Sequence, residues 1–397
     1  MQYAIVDGEM RHIDRALEVD TLVNRSTLFL FGPRQTGKST YLRHALGEKV
    51  DFGWNLLDQA LLRRVTADPT LLRQQLAARD FTDGLVSIDE IQKCPALLDE
   101  IHFLIEQHGV RFVLTGSSAR SLRRRGVNLL GGRGRDRKMH PFTWFELTQA
   151  RENWSLPQVF HRGLLPPHWF SDDPEDDLDS YVGRYLTEEI GAESIARNLG
   201  AFGRFLETAA LCNSQEVNYS NIASDAGIPR QTVTQWFGVL ADTLLGAELP
   251  AFARTRKRKA VARAKFYFFD LGIVRALRGF PQISEGSSDF GRFFEHLIYM
   301  ELSAWISYRM PRATLHYWRS RSGFEVDFVL DGHIAIEVKA AKQVSARDLK
   351  GLKALREERI CDRYYLVCRE STPRRLEGID VLPYEEFFRR LWNADLG

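Results

Sequence analysis

The sequence predicts a multidomain α/β protein: a parallel-sheet core, a central helix-turn-helix with a basic wing, and a C-terminal α/β domain. Three observations predict this organisation. A strand, a glycine-rich loop and a helix follow one another near the N-terminus, a helix pair precedes a basic segment flanked by strands, and acidic residues lie on a later hairpin. We expect domains at residues 1–170, 171–279 and 280–397, because 397 residues exceed one typical domain.

Composition and charge are those of an ordinary globular protein. Hydrophobic residues make up 44% of the chain, charged residues 27%, and the formal net charge of +2 identifies no partner. The 4 cysteines lack metal-binding or C-x-x-C spacing, which favours reduced thiols. No apolar run approaches the roughly 20 residues of a membrane helix, and the charged N-terminus lacks a signal-peptide core. We therefore expect a cytoplasmic protein with no membrane contact.

The first motif is the glycine-rich segment "GPRQTGKST", which follows an apolar run and precedes a helical pattern. Strand, loop and helix in this order are the context that a phosphate-binding P-loop requires. Gly32 and Gly37 allow the backbone to curl, Lys38 brings positive charge to phosphates, and Ser39 brings a hydroxyl to Mg. The candidate nucleotide-binding residues are the whole segment: Gly32, Pro33, Arg34, Gln35, Thr36, Gly37, Lys38, Ser39 and Thr40.

A second apolar run, residues 85–88, ends in Asp89 and Glu90. An acidic pair at the carboxyl end of a strand beside a P-loop is a Walker B arrangement. We expect Asp89 to hold Mg and Glu90 to polarise the attacking water. The alternative is a helix N-cap with acidic residues in the first turn.

These motifs, with "LTGSSA", "LLGGR" and "HPFTWFEL" after them, resemble a prokaryotic AAA-type ATPase family whose members carry a C-terminal domain of unknown function. The resemblance implies a parallel-sheet core that binds ATP and Mg, and a homo-oligomer, of which a ring is one form. It also implies a residue that senses the γ-phosphate at the tip of the strand over residues 110–114; Ser117 is our choice and Thr115 the alternative. Arg133 is the candidate arginine finger. The alternative is that its arginine-rich segment is a solvated loop or a loop that contacts DNA.

The middle of the chain predicts a helix-turn-helix. The acidic, proline-containing run at residues 171–180 is interpreted as a break after the core. The segments "YSNIASDAGI" and "PRQTVTQWFGVLADT" then predict two helices around Gly227, with Ser220 as the first N-cap. The front of the second helix carries residue types that donate to phosphates and base edges, which makes these four candidate DNA contacts: Arg230, Gln231, Thr232 and Gln235.

Two predicted strands flank residues 254–265, which include 7 basic and no acidic residues. We interpret this segment as the exposed wing of a winged helix that contacts the DNA backbone, duplex or branched. The alternatives are a solvated loop and a docking site for an acidic protein. The candidate contacts are Arg254, Arg256, Lys257, Arg258 and Lys259.

The last third predicts an acidic site on a hairpin. Asp327 lies on one predicted strand, Glu337 and Lys339 lie two residues apart on the next, and Glu295 lies on a preceding helix. Two carboxylates suit a divalent metal, and a lysine suits a phosphate or an attacking water. The pattern resembles the PD-(D/E)XK nuclease superfamily, although Val326 stands where the proline of that motif would be.

That resemblance implies catalytic roles for Glu295, Asp327, Glu337 and Lys339, with metal held by Asp327 and Glu337. The alternative is a solvent-facing strand pair with a cross-strand salt bridge. Together the motifs indicate an ATPase that acts on DNA in remodelling, translocation or repair, with a last domain that cleaves or holds DNA. The competing hypothesis is a STAND-like ATP-dependent regulatory switch or assembly protein without nuclease activity. A transcription regulator with an accessory ATPase would leave the carboxylates without a role.

Overall fold

The structure, a computed structural model, describes residues 5–6, 9–10, 12–117, 134–186, 198–255 and 257–396. Chain contacts divide it into two compact units: Asp14–His140 with Asp242–Leu245, and Met1–Ile13 with Pro141–Ala241 and Gly246–Gly397. The three sequence-derived domain ranges remain a prediction, and the contacts place most of the second and third ranges in one unit. A short antiparallel hairpin, β1 (Ile5–Val6) and β2 (Glu9–Met10), begins the larger unit.

The smaller unit is built on a parallel sheet, as predicted. Its strands are β3 (Thr27–Phe31), β4 (Phe52–Asn55), β5 (Leu85–Asp89), β6 (Arg111–Gly116) and β7 (Gly134–Lys138). They lie in the order β4-β5-β6-β3-β7, with every pairing parallel. The chain leaves β3 for the far edge of the sheet and later returns to the other side of β3. The loop after β3 therefore lies at a switch point, where open α/β sheets bind ligands.

Helices and apolar strand residues form the core of this unit. All five residues of β3 are buried, as expected for a parallel strand covered on both faces. Phe29, Phe112 and Leu114 pack with Ile101 in one hydrophobic cluster. The helices are α1 (Asp20–Val23), α2 (Lys38–Leu46), α3 (Gln59–Ala67), α4 (Leu71–Ala77) and α5 (Leu97–His108), with 3₁₀ turns at Gly47–Lys49 and Ile91–Lys93.

The acidic run interpreted as a break is a helix. The Asp173 carboxylate accepts a hydrogen bond from the Asp176 backbone N–H at 3.2 Å, and Pro174 occupies the first turn. Acidic residues there face the positive end of the helix dipole, so the proline and the acids start a helix. The neighbouring helices are α6 (Trp144–Gln149), α7 (Leu156–Arg162), α8 (Pro166–Trp169) and α9 (Pro174–Ser180), followed by a π-helix at Tyr181–Leu186.

The predicted helix pair is present and is followed by a small sheet. Gly227, with φ of 66°, ends the first helix, but the cap at its start is Asn218, not Ser220. The Asn218 side chain accepts from two backbone N–H groups and so satisfies donors that Ser220, inside the helix, does not reach. The elements are α10 (Leu199–Leu211), β8 (Gln215–Glu216), α11 (Tyr219–Ala226), α12 (Arg230–Asp242), β9 (Gly246–Leu249) and β10 (Lys265–Phe268). The three strands pair antiparallel in the order β8-β10-β9.

The C-terminal part carries a mixed sheet. Its strands are β11 (Leu315–Arg319), β12 (Glu325–Leu330), β13 (Ile334–Val338), β14 (Arg363–Cys368), β15 (Arg374–Leu376) and β16 (Ile379–Pro383). They lie in the order β11-β12-β13-β14-β16-β15, with β14 parallel to both neighbours and the other pairings antiparallel. The hairpin between β12 and β13 turns at Asp331 and Gly332, where φ is 51° and 72°. Positive φ at both positions is typical of a tight hairpin turn.

The helices described in this part of the chain are α13 (Leu271–Leu277), α14 (Ser288–Arg309), α15 (Lys350–Arg356) and α16 (Tyr384–Trp392). A 3₁₀ turn at Ala346–Leu349 precedes α15, and Ser345 caps its start in a capping box with Asp348. The close approach of α15 to β12 depends on Gly351. A Cβ there would lie 1.7 Å from the Glu325 carbonyl oxygen, so no other residue fits without movement.

The segment between β9 and β10 does not project as a free hairpin tip, which corrects the predicted exposed wing. Its backbone pairs with β11: the Phe252 N–H donates to the Tyr317 carbonyl at 2.7 Å, and the Val261 N–H donates to the Arg319 carbonyl at 2.9 Å. The segment follows β11 because that strand still has unpaired backbone groups on the side away from β12. None of the helices in the described ranges has the length and apolar character needed to cross a bilayer.

Candidate nucleotide site and carboxylate cluster

The glycine-rich loop curls around its lysine. The Lys38 ammonium donates to the Gly32 carbonyl at 2.6 Å and to the Pro33 carbonyl at 3.0 Å. Gly37 has φ of 89°, a left-handed conformation that glycine adopts without strain. A Cβ on Gly32 would lie 2.6 Å from the Met139 carbonyl, so the loop can approach the chain after β7 only with glycine there. The loop conformation therefore depends on the same two glycines that the motif contains.

Ser39 and Asp89 meet below the loop. The Ser39 hydroxyl donates to Asp89 Oδ2 at 2.7 Å, and the Thr115 hydroxyl donates to the other oxygen, Oδ1. Hydroxyl and carboxylate oxygens are ligands that Mg²⁺ binds beside a phosphate. Ser39 and Asp89 therefore fit the predicted ion. A cavity of about 340 Å³ opens beside the pair and has Trp54 on its apolar wall. Ser39 and Asp89 would hold Mg²⁺ there, and the ion would neutralise developing phosphate charge.

Glu90 and Ser117 are joined by a residue that the sequence analysis did not single out. Gln92 Nε2 donates to Glu90 Oε2 and, at 3.0 Å, to the Ser117 hydroxyl. Glu90 has φ of 61°, uncommon for a residue with a side chain, and its N–H donates to the Thr115 hydroxyl at 3.3 Å. A Cβ on Gly116 would lie 2.5 Å from Gln92 Oε1. The signal in the sequence was the position of Gln92 in the turn that follows the acidic pair.

Arg15 supports the loop from outside the motif, and no sequence pattern indicated it. Its Nη1 donates to the Thr36 carbonyl at 2.8 Å and its Nη2 to the His140 carbonyl at 2.6 Å. Burial, together with the nearby Lys138 and Arg15, lowers the pKa of His140 to about 3, so His140 is neutral at physiological pH.

The remaining predicted loop residues surround the curl. Arg34, Gln35 and Thr40 are half-buried and Thr36 is buried. Thr36 donates its hydroxyl to the Pro33 carbonyl at 2.8 Å. The proposed arginine finger, Arg133, lies outside the described residues.

The helix α12 presents most of the predicted DNA contacts to solvent. Arg230, Gln231 and Gln235 are exposed and Thr232 is half-buried. The opposite face is apolar and buried; it includes Val233, Trp236, Phe237 and Leu240.

The basic segment divides into exposed and engaged residues. Arg254, Lys257 and Lys259 are exposed, whereas Arg258 donates to the Glu357 carboxylate at 2.6 Å. The backbone N–H groups of Lys257 and Arg258 both donate to the buried Glu358, at 2.8 and 2.9 Å. Arg256 lies outside the described residues. Arg258 is thus committed to an intramolecular contact, and three of its neighbours remain available to solvent.

The predicted acidic residues of the last third converge, but around a lysine. Lys265 Nζ lies 2.9 Å from Glu295 Oε1, 3.5 Å from Asp327 Oδ1 and 2.8 Å from Glu325 Oε1. The other Asp327 oxygen accepts from the Val338 N–H at 2.8 Å. Lys265 had been counted with the basic segment, and Glu325 had no assigned role. Neither could be assigned from sequence, because the contact joins strands from two predicted domains.

Burial controls the protonation of this cluster. Burial disfavours the charged form of Lys265, but the surrounding carboxylates outweigh it and hold the pKa of Lys265 well above its usual value. Burial raises the pKa of Glu295 to about 7. Burial, reinforced by Asp327, also raises the pKa of Glu337, which contacts Lys339 through Oε1.

Acidic side chains that converge do not necessarily have the geometry of a metal site. Among the residues that the structure describes, no group of three or more His, Cys, Asp or Glu side chains is arranged to hold a metal ion. The predicted catalytic and metal-binding roles of Glu295, Asp327, Glu337 and Lys339 therefore remain predictions.

The fold and the loop define the smaller unit as an AAA-type P-loop domain. Residues 24–148 match the family described as "AAA domain", which agrees with the resemblance drawn from the motifs. Two further matches have no assigned role: residues 153–284 match "Domain of unknown function (DUF8612)" and residues 290–387 match "Domain of unknown function (DUF4143)". The protein is thus similar to prokaryotic AAA-type ATPases with a C-terminal domain of unknown function.

Curated relatives and solved structures add two comparisons. Uncharacterized proteins from Mycobacterium bovis and Mycobacterium tuberculosis are each 24% identical over 327 residues, covering 80% of this chain and 70% of theirs. A solved structure of the Aeropyrum pernix Orc1 protein in complex with DNA is 15% identical. It covers 65% of this chain and 87% of that one, with a TM-score of 0.26.

Proposed function

We propose that this protein hydrolyses ATP with Mg²⁺ and uses the turnover to act on DNA. The observation that carries the ATPase assignment is the contact of Ser39 with Asp89 at 2.7 Å, directly beside the curled loop. The Lys38 ammonium is already oriented by the loop carbonyls and would exchange them for phosphate oxygens. Glu90 follows Asp89 and would orient the attacking water, as an acidic residue does in phosphoryl transfer to water.

The DNA assignment is supported by the surface of the larger unit. We propose that α10–α12 with strands β8–β10 form a winged helix, in which α12 is the recognition helix. Its exposed Arg230, Gln231 and Gln235 suit phosphates and base edges. The wing is shorter than the sequence suggested, since Arg258 is engaged with Glu357, but Arg254, Lys257 and Lys259 remain exposed.

The C-terminal domain is assigned a DNA-holding role in this proposal. Pro250, Phe252 and Val261 form backbone hydrogen bonds with β11, and Lys265 contacts carboxylates of α14 and β12. The helix pair α11–α12 and the C-terminal sheet therefore belong to one compact unit, in which backbone and side-chain bonds join them. A DNA-binding surface on α12 would move together with that sheet.

One observation favours the regulatory switch as a second candidate. Arg258 is paired with Glu357, and two backbone N–H groups of the same segment donate to Glu358. Such packing contacts are expected of a module that stabilises an assembly and does not bind DNA. The experiment that separates the two is the ATPase rate of the full chain with and without duplex, single-stranded and branched DNA. An acceleration by one of these DNAs, removed by Arg230→Ala with Gln231→Ala, is the expected result. A slow rate that no DNA changes would support the switch.

A further inference from the structure

The side chain of Lys265 lies at the point where the carboxylates of the acidic cluster converge. Its ammonium lies within 3.5 Å of the carboxylates of Glu295, Glu325 and Asp327. An ammonium has three donors, and three carboxylates are in reach. Two of these acids, Glu295 and Asp327, are those that the nuclease resemblance assigns to metal and catalysis.

The lysine is fixed in this position by its backbone and by its surroundings. Its strand, β10, is the central strand of the small sheet, and Lys265 itself pairs with Leu249 on one side and Glu216 on the other. The side chain is 5% exposed and also lies over the Tyr317 ring, at 5.4 Å from the ring centre. Leaving the cluster would place a buried ammonium without partners, which is strongly unfavourable.

Two further hydrogen bonds engage oxygens of the cluster. The Tyr267 hydroxyl donates to Glu295 Oε1 at 2.5 Å, and the Val338 N–H donates to Asp327 Oδ2 at 2.8 Å. Lys339, the predicted catalytic lysine, contacts Glu337 and adds a second positive charge beside the same acids. A divalent ion entering here would meet two ammonium groups, and Glu295 and Asp327 already accept hydrogen bonds. Among the described residues, Glu337 Oε2 is a buried oxygen without a hydrogen-bond partner.

We propose that Lys265 is a built-in cation that replaces the divalent metal implied by the nuclease resemblance, so the C-terminal domain does not cleave DNA by a metal-dependent route. The residues present do not fit the metal while Lys265 is in place. The same acids would form a divalent cation site if this lysine were removed. Lys265 thus acts as an internal tie between β10 and the C-terminal domain, and the DNA-holding role proposed above does not require cleavage.

The test is a Mn²⁺ titration of the nucleotide-free full chain, followed by the electron paramagnetic resonance signal of free Mn²⁺. An Asp89→Asn background removes the Walker site as a source of binding. With Lys265 present we expect no saturable Mn²⁺ binding. With Lys265→Met, which keeps a chain of similar length, we expect about one equivalent of bound Mn²⁺ per chain, lost again on adding Asp327→Asn. Lys257→Met, an exposed lysine of the same segment, is the matched control and should gain no binding.

Two outcomes would overturn the proposal. One is saturable Mn²⁺ binding with Lys265 present that Asp327→Asn abolishes. The other is a folded Lys265→Met protein that binds no Mn²⁺, since the acids would then not form a cation site. If Lys265→Met does not fold, the titration of the Asp89→Asn protein with and without Asp327→Asn still decides whether these acids bind Mn²⁺ while Lys265 is present. ATP turnover and DNA binding are measured separately, so either can fail while the metal result stands.

Discussion

The Ser39 hydroxyl donates a hydrogen bond to Asp89 Oδ2 at 2.7 Å, which joins the phosphate-binding loop directly to the acidic end of β5. These two oxygens come from residues 50 positions apart in the chain. Each belongs to its own motif, and the parallel sheet brings the motifs to the same edge.

This contact predicts the effect of removing the hydroxyl. Ser39→Ala should lower the Mg-dependent ATPase rate by on the order of 10²-fold or more, because the ion would lose a ligand next to the phosphates. Ser39→Thr keeps the hydroxyl and is the matched control, with a rate close to that of the unchanged protein. Steady-state phosphate release measures both. Equal rates for the alanine and threonine variants would remove Ser39 from the metal site.

Gln92 predicts a separation of kcat from KM. Gln92→Leu removes the amide that contacts both Glu90 and Ser117. We expect kcat to fall roughly tenfold, because Glu90, the proposed water-orienting residue, loses this contact. KM should change little, because the P-loop is unaltered. Lys93→Ala, at the exposed neighbouring position, should leave both constants unchanged. A rise in KM with unchanged kcat would assign Gln92 to substrate binding.

The exposed basic residues predict a change in the salt dependence of DNA binding. Replacing Arg254, Lys257 and Lys259 by Gln should reduce the slope of log K against log salt by roughly 2 to 3, about one unit per lost phosphate contact. Arg258→Gln should leave that slope unchanged, since its guanidinium is engaged with Glu357. Fluorescence anisotropy with a labelled duplex at several salt concentrations measures the slopes. An unchanged slope in the triple variant would exclude this segment as a DNA contact.

Glu301 predicts a pH dependence of stability in the larger unit. It accepts hydrogen bonds from the Trp144 N–H at 2.9 Å and from the Trp392 indole at 2.6 Å, and burial raises its pKa to about 7. A carboxyl whose folded pKa is above its unfolded value binds a proton more tightly when folded. The contribution of Glu301 to the free energy of unfolding is therefore fully present below about pH 4.5 and declines as the pH rises to about 7.

The size of that decline is up to about 3 kcal/mol, at about 1.4 kcal/mol per pKa unit. Glu301→Gln cannot ionise, so the free energy of unfolding of the natural protein relative to this variant should fall by that amount from pH 4.5 to pH 8. Thermal midpoints measured across the range follow it. Asp179→Asn, an exposed acid on α9, should show no such trend. A difference that is constant with pH would mean that Glu301 is ionised throughout.

The local motifs were predictable because their residues are close in sequence. Each occupies a short segment with a known backbone requirement: the P-loop, the acidic end of β5 and the helix pair around Gly227. Asn218 and the helix α9 were missed for a different reason. Asn218 and Ser220 are both good N-caps, and a proline after an acid marks either a break or a helix start.

The contacts of Lys265 and Arg15 could not be obtained that way. Lys265 stands in a run of basic residues and differs from them only through its pairing in β10, which places its side chain toward α14 and β12. Arg15 contacts Thr36 of the loop, which lies 21 residues further along the chain. Single-sequence patterns carry no signal for such pairs.

The backbone bonds from Phe252 to Tyr317 and from Val261 to Arg319 have a practical consequence for dissecting the protein. A fragment that begins at residue 280 would leave β11 with a bare row of N–H and C=O groups. Bare rows of this kind join edge to edge with other copies and precipitate. The same cut would leave Glu295, Glu325 and Asp327 facing one another without their ammonium. A soluble C-terminal fragment should therefore start before Gly246, so that the covering segment and Lys265 remain attached.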